Sequence, residues 1–191
     1  MATKVSDIIK KHLLTVDEYH RMGETGILKQ QDRVELIEGE IIDTAPIGSN
    51  HAGTVNYLSK VLNTSLRNEA IISSQNPIVI SELSEPEPDI VILKPRADFY
   101  RHAHPTPEDI YLVIEVAETS LRYDRDIKIP LYAKHGIAEV WLVDLESKQL
   151  TTFFSPKNDQ YEKIETIATY TQLAIQKIPG SKLDLTNLFE S

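Results

Sequence analysis

The chain has 191 residues, 41% of them apolar and 26% charged, the length of one full domain with enough apolar mass for a sizeable core. It has no cysteine, no apolar run of the roughly 18 residues that span a bilayer, and no signal-type N-terminus. Disulfides, thiolate metal sites and a membrane partner are therefore excluded, and a cytoplasmic protein is expected. Twenty basic against 29 acidic residues leave a net charge of −9, the wrong sign for holding a polyanion by charge alone, so a nucleic-acid partner would need a local basic surface or bound cations.

Thr15, with Glu18 three residues on, is a capping box that predicts a helix ending near Gly23. Arg33 to Asp43 reads as two short strands around Glu38-Gly39. Ser49 or Asn50 caps a longer helix to about Asn68, its Val55, Leu58, Leu62 and Leu66 recurring at helical spacing. Ala70–Ser73 and Ile78–Ser81 are short strand candidates. Asp89–Leu93 and Ile110–Val116 are apolar on successive residues, as strands covered on both faces are. A helix over about Ile127–His135 follows, with Asp126 as N-cap, Pro130 in its first turn and Gly136 ending it. Ala138–Leu145, Gln149–Ser155 and Tyr161–Ala168 are further strands, and the apolar residues of Leu183–Phe189 should pack on the body. The expected class is α/β or α+β: a single domain over 1–191 with its core at about 30–155, the N-terminal helix and the C-terminal strand and tail packed on it.

Three residues in mid-chain carry chemistry. Asp89 opens an apolar strand, Glu115 lies inside another, and Lys128 follows in the next helix. A carboxylate in an apolar strand costs several kcal/mol to desolvate unless it is paired or on a metal. Two carboxylates on neighbouring strands suit a Mg²⁺ ion, which lowers the pKa of a bound water and neutralises charge on a phosphoryl oxygen, while a lysine orients or deprotonates that water. Spacing alone equally permits ordinary ion pairs, Glu115 with Arg122 or Lys128.

The segment Glu35–Asp144 resembles the Uma2 family of endonucleases with the PD-(D/E)XK, restriction-endonuclease-like fold. The resemblance rests on Arg33-Val34-Glu35-Leu36-Ile37-Glu38-Gly39-Glu40-Ile41, on His51 opening a helix, and on Glu85-Pro86-Glu87-Pro88-Asp89-Ile90. It continues through Leu112–Val116 and Asp124–Ala133 to Gly136–Asp144. It implies a mixed sheet flanked by helices, with Asp89 and Glu115 as metal-binding carboxylates and Glu35 as a further acid reaching the metal. The parent pattern's lysine slot, two residues after Glu115, holds Ala117, and Lys128 takes that role from the following helix.

The expectation is a Mg²⁺- or Mn²⁺-dependent DNA endonuclease, acting as a homodimer because cutting both strands of a duplex takes two sites. Two other readings stand beside it. One is a catalytically silent nucleic-acid-binding or interaction protein that keeps the fold, favoured by the charge of −9 and by Ala117; the other is the same chemistry on RNA or nucleotides. His51 reads equally as a general base or phosphate contact and as a capping group, and Glu87 as a metal-facing or a solvated acid. Arg96, Arg101, Arg122, Arg125 and Lys128 offer a local basic rim. His102 and His104 form an H-x-H pair which, without further ligands nearby in sequence, reads as a surface loop rather than a zinc site.

Overall fold

The computed structural model describes residues 10–29 and 31–190. Its centre is a six-stranded mixed sheet in the order β3-β4-β5-β6-β7-β8: β3 (Ile71–Ser74), β4 (Ile90–Leu93), β5 (Ile110–Ala117), β6 (Glu139–Asp144), β7 (Gln149–Lys157) and β8 (Gln160–Thr166). All neighbours pair antiparallel except β5 and β6, which are parallel. A parallel pair needs a crossover, and the helical segment between β5 and β6 supplies it.

Because successive strand residues point to opposite faces, the apolar runs of β4, β5 and β6 divide cleanly. Ile90, Ile92, Leu112, Ile114, Val116, Trp141 and Val143 pack with Val55, Leu58, Leu62 and Leu66 of α2 (Ser49–Leu66) and with Ile175, Ile178, Leu183, Leu185 and Leu188 of the C-terminal segment. Val91, Leu93, Val113, Ala117, Val140 and Leu142 pack on the other face with Ile129, Leu131, Tyr132 and Ala133. Glu115 shares the parity of Val113 and Ala117, so its carboxylate belongs to the face covered by the crossover.

That crossover is not the simple helix expected at Ile127–His135. It starts earlier, as α3 (Leu121–Tyr123), widens into a π-helical turn at Asp124–Lys128 and continues as α4 (Ile129–Lys134). Pro130 accounts for the widening. It has no N–H for the regular ladder, and the amide of Ile129 reaches back five residues to the Asp124 carbonyl instead. Asp126 is consequently no cap; it pairs at the surface with Arg125. The Gly136 stop stands where expected, with φ of 75°.

The N-terminal elements lie at the β4 side. In α1 (Val16–Glu24) the expected capping box forms: the Glu18 amide donates to Thr15 Oγ1 at 3.2 Å and the Thr15 amide to Glu18 Oε2 at 2.9 Å. β1 (Val34–Ile37) and β2 (Glu40–Asp43) form a separate hairpin. Its two-residue turn has φ of 49° at Glu38 and 80° at Gly39, the left-handed pair that matches strand twist. A Cβ on Gly39 would also meet the Leu13 Cβ at 2.5 Å, so glycine is doubly required.

Two smaller expectations differ. Helix α2 is capped by the backbone of Gly48 rather than by Ser49 or Asn50; a Cβ there would lie 2.7 Å from Glu118 Oε2. Ile78–Ser81 is not a sheet strand. Its Ile78 and Ile80 are buried, but their amides bond back to Pro86 and Ser84 in a local hairpin-like loop.

Removing the α1 cap should lower stability, because it leaves amides of the first turn without their partner. Thr15→Ala is expected to cost about 1 kcal/mol and to lower Tm by roughly 2–4 °C, read by thermal denaturation followed by circular dichroism.

Candidate active site

The ends of β1, β4 and β5, the start of α2 and the π turn border a cavity of about 340 Å³. Glu35, Asp43, Glu87, Asp89, Glu115, Glu118 and Asp124 line it, against Arg33, Lys128 and the ring of His51. All six residues singled out in the sequence therefore reach one place: Glu35, His51, Glu87, Asp89, Glu115 and Lys128.

Strand register sets the first pair. Ile90 of β4 lies opposite Ile114 of β5, which brings Asp89 alongside Glu115 at the end of the sheet. Asp89 Oδ2 accepts the Val116 amide at 2.8 Å, while the Asp89 amide reaches Glu115 Oε2 at 3.4 Å. The outer oxygen of Asp89, Oδ1, lies 3.1 Å from His51 Nε2. This bond to Asp89 raises the His51 pKa, against the opposing effect of burial. His51 Nδ1 is buried and has no partner among the described residues.

Lys128 arrives from the π turn. Its Nζ is 2.8 Å from Glu115 Oε1 and 3.3 Å from Glu35 Oε1, and also lies 3.4 Å from the Glu87 carbonyl. The lysine and both acids are almost wholly buried. Glu35 also accepts from the Tyr123 hydroxyl at 3.1 Å and the Glu87 amide at 3.2 Å. Its carboxylate is thus committed to the ammonium and its surroundings. Among the described residues, Glu35, Asp89 and Glu115 are not a set of three acids with ligand oxygens mutually within 4.8 Å; the ammonium stands between Glu35 and Glu115.

Sequence reasoning missed three participants. Tyr132 donates its hydroxyl to Glu115 Oε1 at 2.5 Å; it lies four residues after Lys128, on the same helical face, a spacing that could have flagged it. Asp124 is buried and accepts from Ser120 Oγ at 2.5 Å. Tyr123 meets Glu35 only through the fold. The expected basic rim is largely spent: Arg96 is paired with Asp98, Arg125 with Asp126, and Lys128 is buried. Arg33, at the start of β1, lines the cavity instead.

The electrostatics follow from crowding. Burial pushes Glu115 up to about 8, with Lys128 opposing and Asp124 and Asp89 adding to the rise. Burial pushes Asp124 up to about 6, again opposed by Lys128, and burial with the neighbouring Glu35 raises Glu87. Burial works against the Lys128 ammonium too, but Glu115, Tyr132, Glu35 and Asp124 outweigh it and hold its pKa well above the ordinary value. One fixed ammonium is too little for so many acids. Oxygen-only donors with surplus negative charge are the chemistry of a hard divalent cation; His51 meets Asp89 through Nε2 and keeps a buried Nδ1 without a partner among the described residues. The carboxylates of Asp89 and Glu115 have the donor chemistry of a Mg²⁺-type site, with their oxygens engaged by the Val116 amide and His51 on Asp89 and by Lys128, Tyr132 and the Asp89 amide on Glu115.

The chain is a mixed α/β domain with an acidic pocket at the end of its sheet, beside a helical crossover. Comparisons agree on the architecture. A crystal structure described as that of a putative nuclease belonging to DUF820 from Anabaena variabilis ATCC 29413 superposes with a TM-score of 0.66 at 17% identity, covering 92% of this chain and 97% of that one. The profile of the Uma2 family, described as "Putative restriction endonuclease", matches residues 16–186; the chain belongs to this family. No curated protein matches the chain. No helix among the described residues is long and apolar enough to cross a membrane.

The raised carboxyls make a pH prediction. Glu115, Asp124 and Glu139, the last pushed up to about 7 by burial against the opposing bonds from the Gln176 amide and Trp141, hold protons in the folded chain at pH values where the unfolded chain has released them. The folded state then binds more protons, and stability falls as pH rises. The raised His51 acts in the same direction. Metal-free protein should gain several degrees in Tm as pH is lowered from about 8 to about 5, at roughly 2–4 °C per kcal/mol. A flat or inverted profile in chelator-treated buffer would contradict this.

Proposed function

We propose that the protein is a divalent-metal-dependent endonuclease acting on DNA, with Asp89 and Glu115 as the metal ligands. The observation that carries this reading is the surplus of buried carboxylate around one ammonium, in a cavity at the end of the sheet, in a chain of the Uma2 family. The ion, Mg²⁺ or Mn²⁺, would supply an acidified water and neutralise charge building on the scissile phosphate.

The chain's own residues do the rest. Lys128 is held as an ammonium, so it is no general base; it contributes a fixed positive charge beside Glu115 that favours the anionic phosphoryl group in the transition state. Glu35 positions Lys128 rather than spending its carboxylate on the ion directly, and Tyr132 fixes the orientation of Glu115. With Nε2 bonded toward Asp89, neutral His51 keeps Nδ1 as a bare acceptor, suited to take a proton released in the cavity. Arg33 is placed to hold a phosphate at the rim. Glu87 adds charge through its side chain and a carbonyl that receives Lys128. A duplex needs two such sites, which we infer come from a homodimer.

The alternative, a silent binding protein with the same fold, drew support from Ala117 in the strand slot for lysine. The placement of Lys128 Nζ 2.8 Å from Glu115 weakens that support, since an ammonium stands beside the acid regardless.

Purified protein incubated with plasmid duplex, matched single strands and RNA in Mg²⁺ or Mn²⁺ tests the proposal. Cleavage of DNA is expected, abolished by chelator and reduced about 100-fold or more by Asp89→Asn or Glu115→Gln, in variants whose circular dichroism is native. Undiminished cleavage by both folded variants would remove the mechanism. Cleavage of RNA alone would reassign the substrate.

A further inference from the structure

A second donor set lies outside this pocket. His20, Glu85 and His104 come from α1, from the segment after the Ile78–Ser84 loop, and from the loop before β5. One donor atom from each falls within 4.8 Å of the other two. Nothing in the sequence links them, since they are 65 and 19 residues apart along the chain; the fold alone assembles them.

Each is placed by backbone bonds that do not depend on the cluster. His20 rides on α1, which is fixed by its capping box and by the Tyr19 hydroxyl donating to the Val34 carbonyl at 2.9 Å. Glu85 bridges Leu36 of β1, its amide donating to the Leu36 carbonyl at 2.8 Å. His104 precedes a buried Pro105 whose carbonyl accepts the Val79 amide at 3.0 Å. Glu85 has only 5% of its side chain exposed, and His20 Nε2 lies 2.7 Å from its Oε2. The two imidazoles stand edge to face, with ring centroids 6.1 Å apart.

A plain ion pair would account for His20 and Glu85 but not for a second imidazole closing on the same carboxylate. We propose that His20, Glu85 and His104 form a binding site for a Zn²⁺-class transition-metal ion, distinct in chemistry from the acidic pocket. Two imidazole nitrogens and one carboxylate oxygen are a donor set preferred by zinc and its neighbours, whereas all-oxygen donors favour Mg²⁺. At metal–nitrogen distances of about 2.0 Å the donors must draw closer than they stand, which rotation of the two exposed rings permits while the buried Glu85 stays fixed. Three protein ligands leave a fourth position open to water or to a ligand oxygen.

The location gives the site a use. It lies in a groove of about 830 Å³ that shares Arg33, Ile47, Gln75 and Glu87 with the acidic cavity. Glu85 and Glu87 are alternate residues of one segment, so the ion would staple α1 and the His104 loop to the strip of backbone that leads to Asp89. Its open position would face a groove continuous with the place where the phosphate is proposed to sit.

This inference does not depend on the nuclease reading, and its test uses no nuclease assay. Tag-free, full-length, chelator-treated protein carrying Asp89→Asn, which disables the acidic pocket, is titrated with ZnCl₂ by calorimetry and by thermal shift. His20→Ala and His104→Ala are compared with His102→Ala on the same loop. One equivalent of Zn²⁺ and a higher Tm are expected, with His20→Ala and His104→Ala each weakening binding at least tenfold and erasing the shift, and His102→Ala behaving as its parent. Mg²⁺ at the same concentration should give no such shift. His104 is exposed, so its substitution tests the site even where His20→Ala proves less stable. Absence of zinc binding, or binding untouched in the His20→Ala/His104→Ala double variant, overturns the proposal.

Discussion

The buried ammonium of Lys128 is the interaction on which the site and much of its surroundings depend. Taking an ammonium and two carboxylates out of water costs several kcal/mol per ion, recovered only where the geometry is close and the remaining donors and acceptors are met. Here Glu115 stands at 2.8 Å and Glu35 at 3.3 Å, with Tyr132, Tyr123 and the Glu87 carbonyl completing the shell. Those partners come from β1, β5, α3, α4 and the segment before β4. The network therefore does two things at once. It locks the hairpin and the crossover against the sheet, and it fixes a positive charge beside the acid that most needs one. Loss of any member would expose the others to the uncompensated cost of burial.

The same network explains why charge, not shape, is the unfinished part of the structure. The protein carries −9 overall, and of the arginines expected at a basic rim Arg96 and Arg125 are tied to neighbouring aspartates. A phosphodiester approaching such a surface meets repulsion at long range. Glu115, Asp124 and Glu87 respond as crowded buried acids do, by shifting toward their neutral forms. The divalent ion of the proposed function would resolve both problems together, since it would stabilise the ionised acids and reverse the local sign that a phosphate meets.

Much of this could be read from the residues. The strands were legible because β4, β5 and β6 are apolar on both parities, and Glu115 stood out because it interrupts such a run. The capping box of α1 and the glycine stop after α4 are local chemistry and hold locally. What the sequence hid was assembled by tertiary contacts. Tyr123 and Asp124 gain their roles through a π turn, and Pro130 was compatible with a first-turn position as well as with a widened turn. The family resemblance gave Glu35 as a further acid reaching the metal; its contact with Lys128, 93 residues away, leaves no periodic trace in the sequence. His104 was set aside with His102 because its partners, His20 and Glu85, are near only in space.

The crossover also shows how a lysine can leave its strand without leaving the site. Ala117 shares a face with Glu115, and its methyl group leaves the helix free to approach that face of β5; Ala117 is fully buried there. The π turn then turns Lys128 inward and keeps Tyr132 one turn behind it, so that both reach the same oxygen of Glu115. A regular helix would set Tyr123 and Asp124 differently against Lys128, because the extra residue in the turn changes which side chains share a face. The small residue on the strand and the widened turn in the helix are thus two halves of one arrangement. Together they give the buried Glu115 a counter-charge from the crossover side of the sheet, while Asp89 is met from α2 by His51.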